Sequence, residues 1–122
     1  MKYDFTVDGG ANGATNHITL ATNATIPNNA IVTDLTLYTS TDVAGSSSTL
    51  AFIMGESGNT TYDVPVSAAT MAEALFADES VIVDTTGGKA KADSVMKLDI
   101  ATADLTAGVI DIFLSYYIGY AE

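Results

Sequence analysis

Met96, Leu98 and Ile100 alternate with Lys97 and Asp99, and Ile110, Ile112, Leu114, Tyr116 and Ile118 alternate with Asp111 and Ser115. A period of two belongs to a β-strand, whose successive side chains point to opposite faces, so both even-numbered sets read as core-facing. Short apolar runs recur along the rest of the chain. Turn-forming clusters separate them: Asp8-Gly9-Gly10, Asn12-Gly13, Pro27-Asn28-Asn29, Gly45 to Ser48, Gly55 to Asn59, Gly87-Gly88 and Ala107-Gly108. The pattern predicts strands near 2–7, 17–22, 30–39, 49–54, 80–84, 94–101 and 109–120. Seventeen Thr, together with Val, Ile, Tyr and Phe, supply the β-branched and aromatic residues that strands favour. The expected fold is all-β, a β-sandwich or jelly roll of about seven or eight antiparallel strands. A single domain is expected over 1–122, with residues 1–15 either a strand or an arm that orders on binding.

One stretch departs from the alternation. From Ser67 to Ala77 the chain reads Ser-Ala-Ala-Thr-Met-Ala-Glu-Ala-Leu-Phe-Ala, with Ala68, Met71, Ala72 and Leu75 at i, i+3, i+4 and i+7. This spacing predicts one short helix over 67–77, capped by Ser67 and closing an end of the sandwich. Gly45 to Ser48 reads as a hairpin loop. The two C-terminal alternating sets are expected to form another hairpin, for which two registers are open. Pairing 98 with 110 sets Lys97 opposite Asp111, whereas pairing 98 with 112 sets Asp99 opposite Asp111, a difference of up to about 1 kcal/mol. Charge favours the first, with a loop across Thr102–Thr106 centred on Asp104.

The second face of the last strand is unusual. Val109, Phe113 and Tyr117 are apolar or aromatic where a solvated face is polar. Either another layer or another subunit must cover them, and a chain of 122 residues is short for three layers. These three residues are the candidate subunit interface.

Charge narrows the partners. Four Lys and Arg stand against fifteen Asp and Glu, a net charge of -11. Nucleic acid and anionic membranes are therefore not expected as partners, since both are bound through clustered cations. The longest apolar run, Val109 to Tyr120, is broken by Asp111, Ser115 and Gly119 and falls short of the roughly 20 residues of a membrane helix. Met1-Lys2-Tyr3-Asp4-Phe5 has no apolar h-region, so the expectation is a chain made in the cytoplasm without a signal peptide. With no Cys there is no disulfide framework, thiolate metal site or cysteine nucleophile.

No catalytic constellation emerges, and no cofactor is expected. His17 is the only histidine, too few for a jelly-roll metalloenzyme, and it reads as a solvated strand residue. Gly55-Glu56-Ser57-Gly58-Asn59 loosely matches a nucleophile elbow, but no helical pattern follows the serine. Asp8-Gly9-Gly10-Ala11-Asn12-Gly13 matches part of a calcium loop, yet position 3 is Gly and position 12 is Thr19. Asp78-Glu79 and Asp84 read as solvated strand ends. A small jelly-roll enzyme is therefore the weakest of the readings.

Three segments carry a family resemblance. Ala24-Thr25-Ile26-Pro27-Asn28-Asn29-Ala30-Ile31-Val32-Thr33-Asp34 leads into a Thr-rich strand, Ser48-Thr49-Leu50-Ala51-Phe52-Ile53-Met54-Gly55 follows, and Leu105-Thr106-Ala107-Gly108 precedes Ile112-Phe113-Leu114-Ser115-Tyr116. Together they resemble the small jelly-roll or β-sandwich structural proteins of tailed bacteriophages, of the capsid decoration or cement type. The resemblance covers about half the chain. It implies a virion component on the capsid surface, made in the host cytoplasm. Its partners would be the major capsid protein and further copies of itself, often as a homotrimer, with Val109, Phe113 and Tyr117 the candidate contacts. The alternative is a tail or fibre jelly roll that binds glycan, for which Tyr38 and Tyr62 are the residues to test. The absence of Trp and Arg weighs against it.

Overall fold

The computed structural model describes residues 1–13, 18–54, 71–84, 90 and 93–119. Among these the chain forms, in order, β1 (Lys2–Asp4), α1 (Phe5–Asp8), β2 (Ile18–Thr19), β3 (Ala30–Gly45), β4 (Thr49–Met54), β5 (Met71–Ala72), a 3-10 turn (Glu73–Leu75), β6 (Val81–Asp84), β7 (Met96–Ala101) and β8 (Leu105–Ile118). The strands make two four-stranded sheets, ordered β1-β8-β3-β6 and β2-β7-β4-β5. Antiparallel pairs nest within one another: β1 with β8, β2 with β7, β3 with β6 and β4 with β5. Rolling this long hairpin sets β8 against β3 and β7 against β4, which closes both sheets. The result is an eight-stranded jelly roll.

Alternation explains how the sheets meet. Leu35, Leu37, Ile110 and Ile112 of the first sheet are buried, as are Leu50, Phe52, Leu98 and Ile100 of the second. All belong to one hydrophobic cluster, in which the Phe52 and Phe76 rings lie 6.3 Å apart. Burying a side chain of this kind is worth about 1.5–3 kcal/mol, so these facing rows hold the sandwich closed.

The C-terminal expectation is corrected by this arrangement. β7 and β8 are not a hairpin, because they lie in different sheets. Leu98 pairs with Phe52 and Ile18, while Ile110 pairs with Thr39 and Tyr3. Met96, Leu98 and Ile100 of the first set and Ile110 and Ile112 of the second do face the core, but from opposite sides, and such sets satisfy the alternation equally well in one sheet or across two. Thr102 at φ 77° helps turn the chain across. Gly45 to Ser48 likewise links β3 to β4 of the other sheet. The two crossings are tied together: Ser48 Oγ donates to Ala103 O at 2.9 Å, and the Glu73 carboxylate accepts from the Ser47 and Ser48 amides.

The helix expected over 67–77 is not formed by its described part. Met71 and Ala72 pair with β4, and Glu73–Leu75 make the 3-10 turn. Met71 and Phe76 are buried while Leu75 is exposed, so the helical stripe does not hold. Strand pairing with Leu50 and Thr49 outweighs the modest helix propensity of a few Ala residues. Ser67 to Thr70 lie outside the described residues. Among the described residues the one α-helix is instead α1, where a strand over 2–7 was expected. Asp4 accepts from the Thr6 amide and hydroxyl, and Asp8 accepts from the Asp4 and Ala21 amides, so local capping redirects the chain.

Leu105 to Gly108 lie within β8 rather than ahead of it. Gly108 has φ +142°, and a Cβ there would stand 2.8 Å from Val43 Cγ2. Gly108→Ala is expected to cost about 1–3 kcal/mol in urea unfolding. Tyr3 is fully buried and donates its hydroxyl to Gly9 O at 2.9 Å. Burial, and then the charges of Asp8 and Asp4, push its pKa upward. The neutral phenol is thus favoured by the fold. Its contribution is complete below the ordinary tyrosine value near 10 and is lost as pH rises above it toward the folded value. Tyr3→Phe should cost about 1 kcal/mol at neutral pH, through the lost hydrogen bond, and should flatten the alkaline decline of stability.

Candidate interaction surface

Because β8 is fourteen residues long and β7 only six, the first sheet carries a broad outer face. Register determines what lies on it. Phe113 pairs with Thr36, which pairs with Val83; Asp111 pairs with Tyr38, which pairs with Val81; Tyr117 pairs with Ile31. Directly paired residues share a face, so these side chains make one patch. Val81 and Val83 are each 60% exposed, Phe113 60% and Tyr117 58%. Isolated exposed apolar residues are ordinary, but a contiguous group of this kind marks an interaction site. Beside it, Ile31, Tyr117, Ile118 and Gly119 line an open groove of about 430 Å³.

Charged residues lie on the same face: Asp34 is opposite Ser115, between Phe113 and Tyr117, and Asp111 is opposite Tyr38. Lys2 pairs with Asp111 across the strands and approaches Asp4 at 3.7 Å. Asp4 is held below the usual carboxylate range by its bonds from Thr6, with Lys2 adding to the effect.

Two of the three residues read from the sequence are exposed here, Phe113 and Tyr117. Val109 shares their face but is half-buried, set between Asp4 and Thr41 in the register. The alternation gave no sign of Val81 and Val83, which reach the patch only because β6 pairs with β3. Tyr116 and Ile118, expected in the core, are 44% and 58% exposed. They follow the inward parity of Ile110 and Ile112 but lie on the overhanging end of β8, where no strand among the described residues faces them. Tyr38 is half-buried within the patch. Tyr62, His17 and Gly55 to Asn59 lie outside the described residues.

Several other acidic groups hold the backbone. Asp8 accepts backbone amides as described, and Asp104 accepts from the Asn12 amide and side chain at 2.9 and 2.6 Å. The Asp78 amide bonds to Asp42 Oδ1, and Glu79 turns the chain at φ 62°. No group of three or more metal-ligating side chains occurs among the described residues.

Comparison with known protein families, curated proteins and solved structures found no match. The reading of the surface therefore rests on its own geometry. Phe113→Ser should change the unfolding free energy by less than about 0.5 kcal/mol. Ile112→Ala, one residue away but buried, should lower it by about 2–5 kcal/mol. Urea denaturation of the two variants distinguishes an outer face from a core.

Proposed function

We propose that this protein is a virion structural subunit, a decoration or cement protein that stabilises the head of a tailed phage. It lays the outer face of its first sheet against the capsid shell or a neighbouring copy. The observation that carries this reading is the exposed patch of Val81, Val83, Phe113 and Tyr117 on an otherwise strongly acidic chain. Apolar surface removed from water contributes about 25 cal/mol per Å², so such a patch is an adhesive region.

Three further points support it. The segments around Pro27, Phe52 and Leu105 resemble phage structural proteins. The nested eight-strand topology is also an architecture that viral capsid domains use, although lectins and cupins use it as well and a fold does not decide a function. The net charge of -11 gives a decorated particle an acidic coat that repels other particles and anionic cell surfaces. The major capsid protein is the partner in this reading, and the capsid surface the location.

The test is cosedimentation of the purified chain with undecorated capsids. The native chain should pellet with the particles. Phe113→Asp and Tyr117→Asp should remain folded by circular dichroism and stay in the supernatant. Capsid binding that survives both substitutions removes this face from the interface, and a native chain that binds no capsid overturns the assignment.

A further inference from the structure

Asp34 stands apart from the other carboxylates on the outer face of the first sheet. It lies opposite Ser115 in the register of β3 with β8, and Phe113 and Tyr117 are its diagonal neighbours on that strand. Diagonal neighbours in a sheet are about 7–8 Å apart, within reach of aromatic and long side chains. Phe113 and Tyr117 are exposed, and Asp34 between them is half-buried. Asp4 and Asp111 both have Lys2 beside them, the first by an ion pair and the second across the strands. Among the described residues Asp34 has no such neighbour, and its carboxylate takes part in no hydrogen bond or ion pair. Lys97 lies on β7 in the second sheet, and Lys89 and Lys91 fall outside the described residues.

This placement constrains what can cover the patch. Any partner that takes Phe113 and Tyr117 out of water also takes Asp34 out of water, because Asp34 sits between them. A carboxylate is stable in a covered site only when a cation and hydrogen-bond donors replace its hydration. A purely apolar partner leaves that charge unpaired. A second copy of the chain is poorly equipped to answer it, since the chain has no arginine and carries a net charge of -11. The occupant must therefore bring a cation of its own.

We propose that this face receives an arginine side chain of the partner, its guanidinium paired with Asp34 and its plane laid against Phe113 or Tyr117. The inference rests on the reading of this face as the binding surface, and it names what the partner brings there. A guanidinium suits the place better than an ammonium. It is planar and weakly hydrated, it offers a carboxylate two parallel N–H bonds, and it stacks on aromatic rings. The exposed Ser115, opposite Asp34, adds a hydroxyl acceptor for a remaining N–H. The negative charge of the whole chain draws a cationic partner inward before contact. On the capsid reading the arginine belongs to the shell protein.

The first arm of the test needs no capsid. A capped tri-arginine peptide is titrated into the native chain and followed by residue-resolved NMR, with tri-lysine of equal charge as the control. The arginine peptide should shift the signals of Asp34, Phe113, Ser115 and Tyr117 and bind at least ~3-fold more tightly than the lysine peptide. Asp34→Asn, nearly the same in shape, should remove that preference, whereas Glu79→Gln, which neutralises an exposed carboxylate elsewhere, should keep it. Phe113→Leu retains an apolar side chain without the ring; it should also narrow the preference and serves if Asp34→Asn fails to fold. Equal binding of the two peptides, or shifts spread evenly over the acidic surface, overturns the arginine site. The second arm cosediments Asp34→Asn with undecorated capsids. Its affinity should fall at least ~10-fold, because a covered charge pair is no longer screened by water. Affinity equal to that of the native chain overturns the inference and leaves the decoration reading standing. A native chain that takes the arginine peptide at Asp34 yet pellets with no capsid supports the site and overturns the shell as the arginine's owner.

Discussion

The ladder between β3 and β8 is the constraint from which the rest of the molecule follows. It runs from Ala30 opposite Ile118 to Gly45 opposite Leu105, far longer than any pairing in the second sheet. Two such strands can be covered on their inner side only where β7 and β4 lie opposite. Their inward residues are therefore core over Leu35, Leu37, Ile110 and Ile112, and exposed at the overhanging Tyr116 and Ile118. Register irregularities in β3, between Val32 and Asp34 and again between Thr39 and Gly45, let so long a strand bend with its partner.

Nothing in the second sheet could stand alone. Its strands β2 and β5 have two residues each, and a sheet with such short edges gains its stability from packing. Leu50, Phe52, Leu98 and Ile100 supply that packing against the first sheet, while Ser48, Glu73 and Asp104 hold the crossings in place. Polar groups at these corners are spent on backbone amides and carbonyls. The same holds for Asp4, Asp8 and Asp42, which are helix and turn partners rather than parts of a reactive cluster.

The chemistry left over is on the surface, and it is apolar. An outer face bearing Phe113, Tyr117, Val81 and Val83 is costly to keep in water.

Much of this was legible in the chain. Period-two alternation identifies the strand from Met96 and the part of β8 from Val109 onward, with the core-facing parity of Ile110 and Ile112, because a strand's side chains have only two directions to take. The same periodicity exposes Phe113 and Tyr117 as apolar residues on a face that should be polar. What it cannot carry is which strand lies beside which. Leu98 and Ile110 satisfy the same pattern as hairpin partners or as residues facing across a sandwich, and only the closure of both sheets chooses between them. Local propensity failed for the same reason at Met71, where pairing with Leu50 prevailed over a helical spacing, and at Phe5, where capping by Asp4 ended a strand. The sequence by itself determined which side of its strand each residue takes. The tertiary structure decided the partners, and with them the membership of Val81 and Val83 in the patch and the exposure of Tyr116 and Ile118, because strand pairing is a contact between residues far apart in the chain that no local pattern encodes.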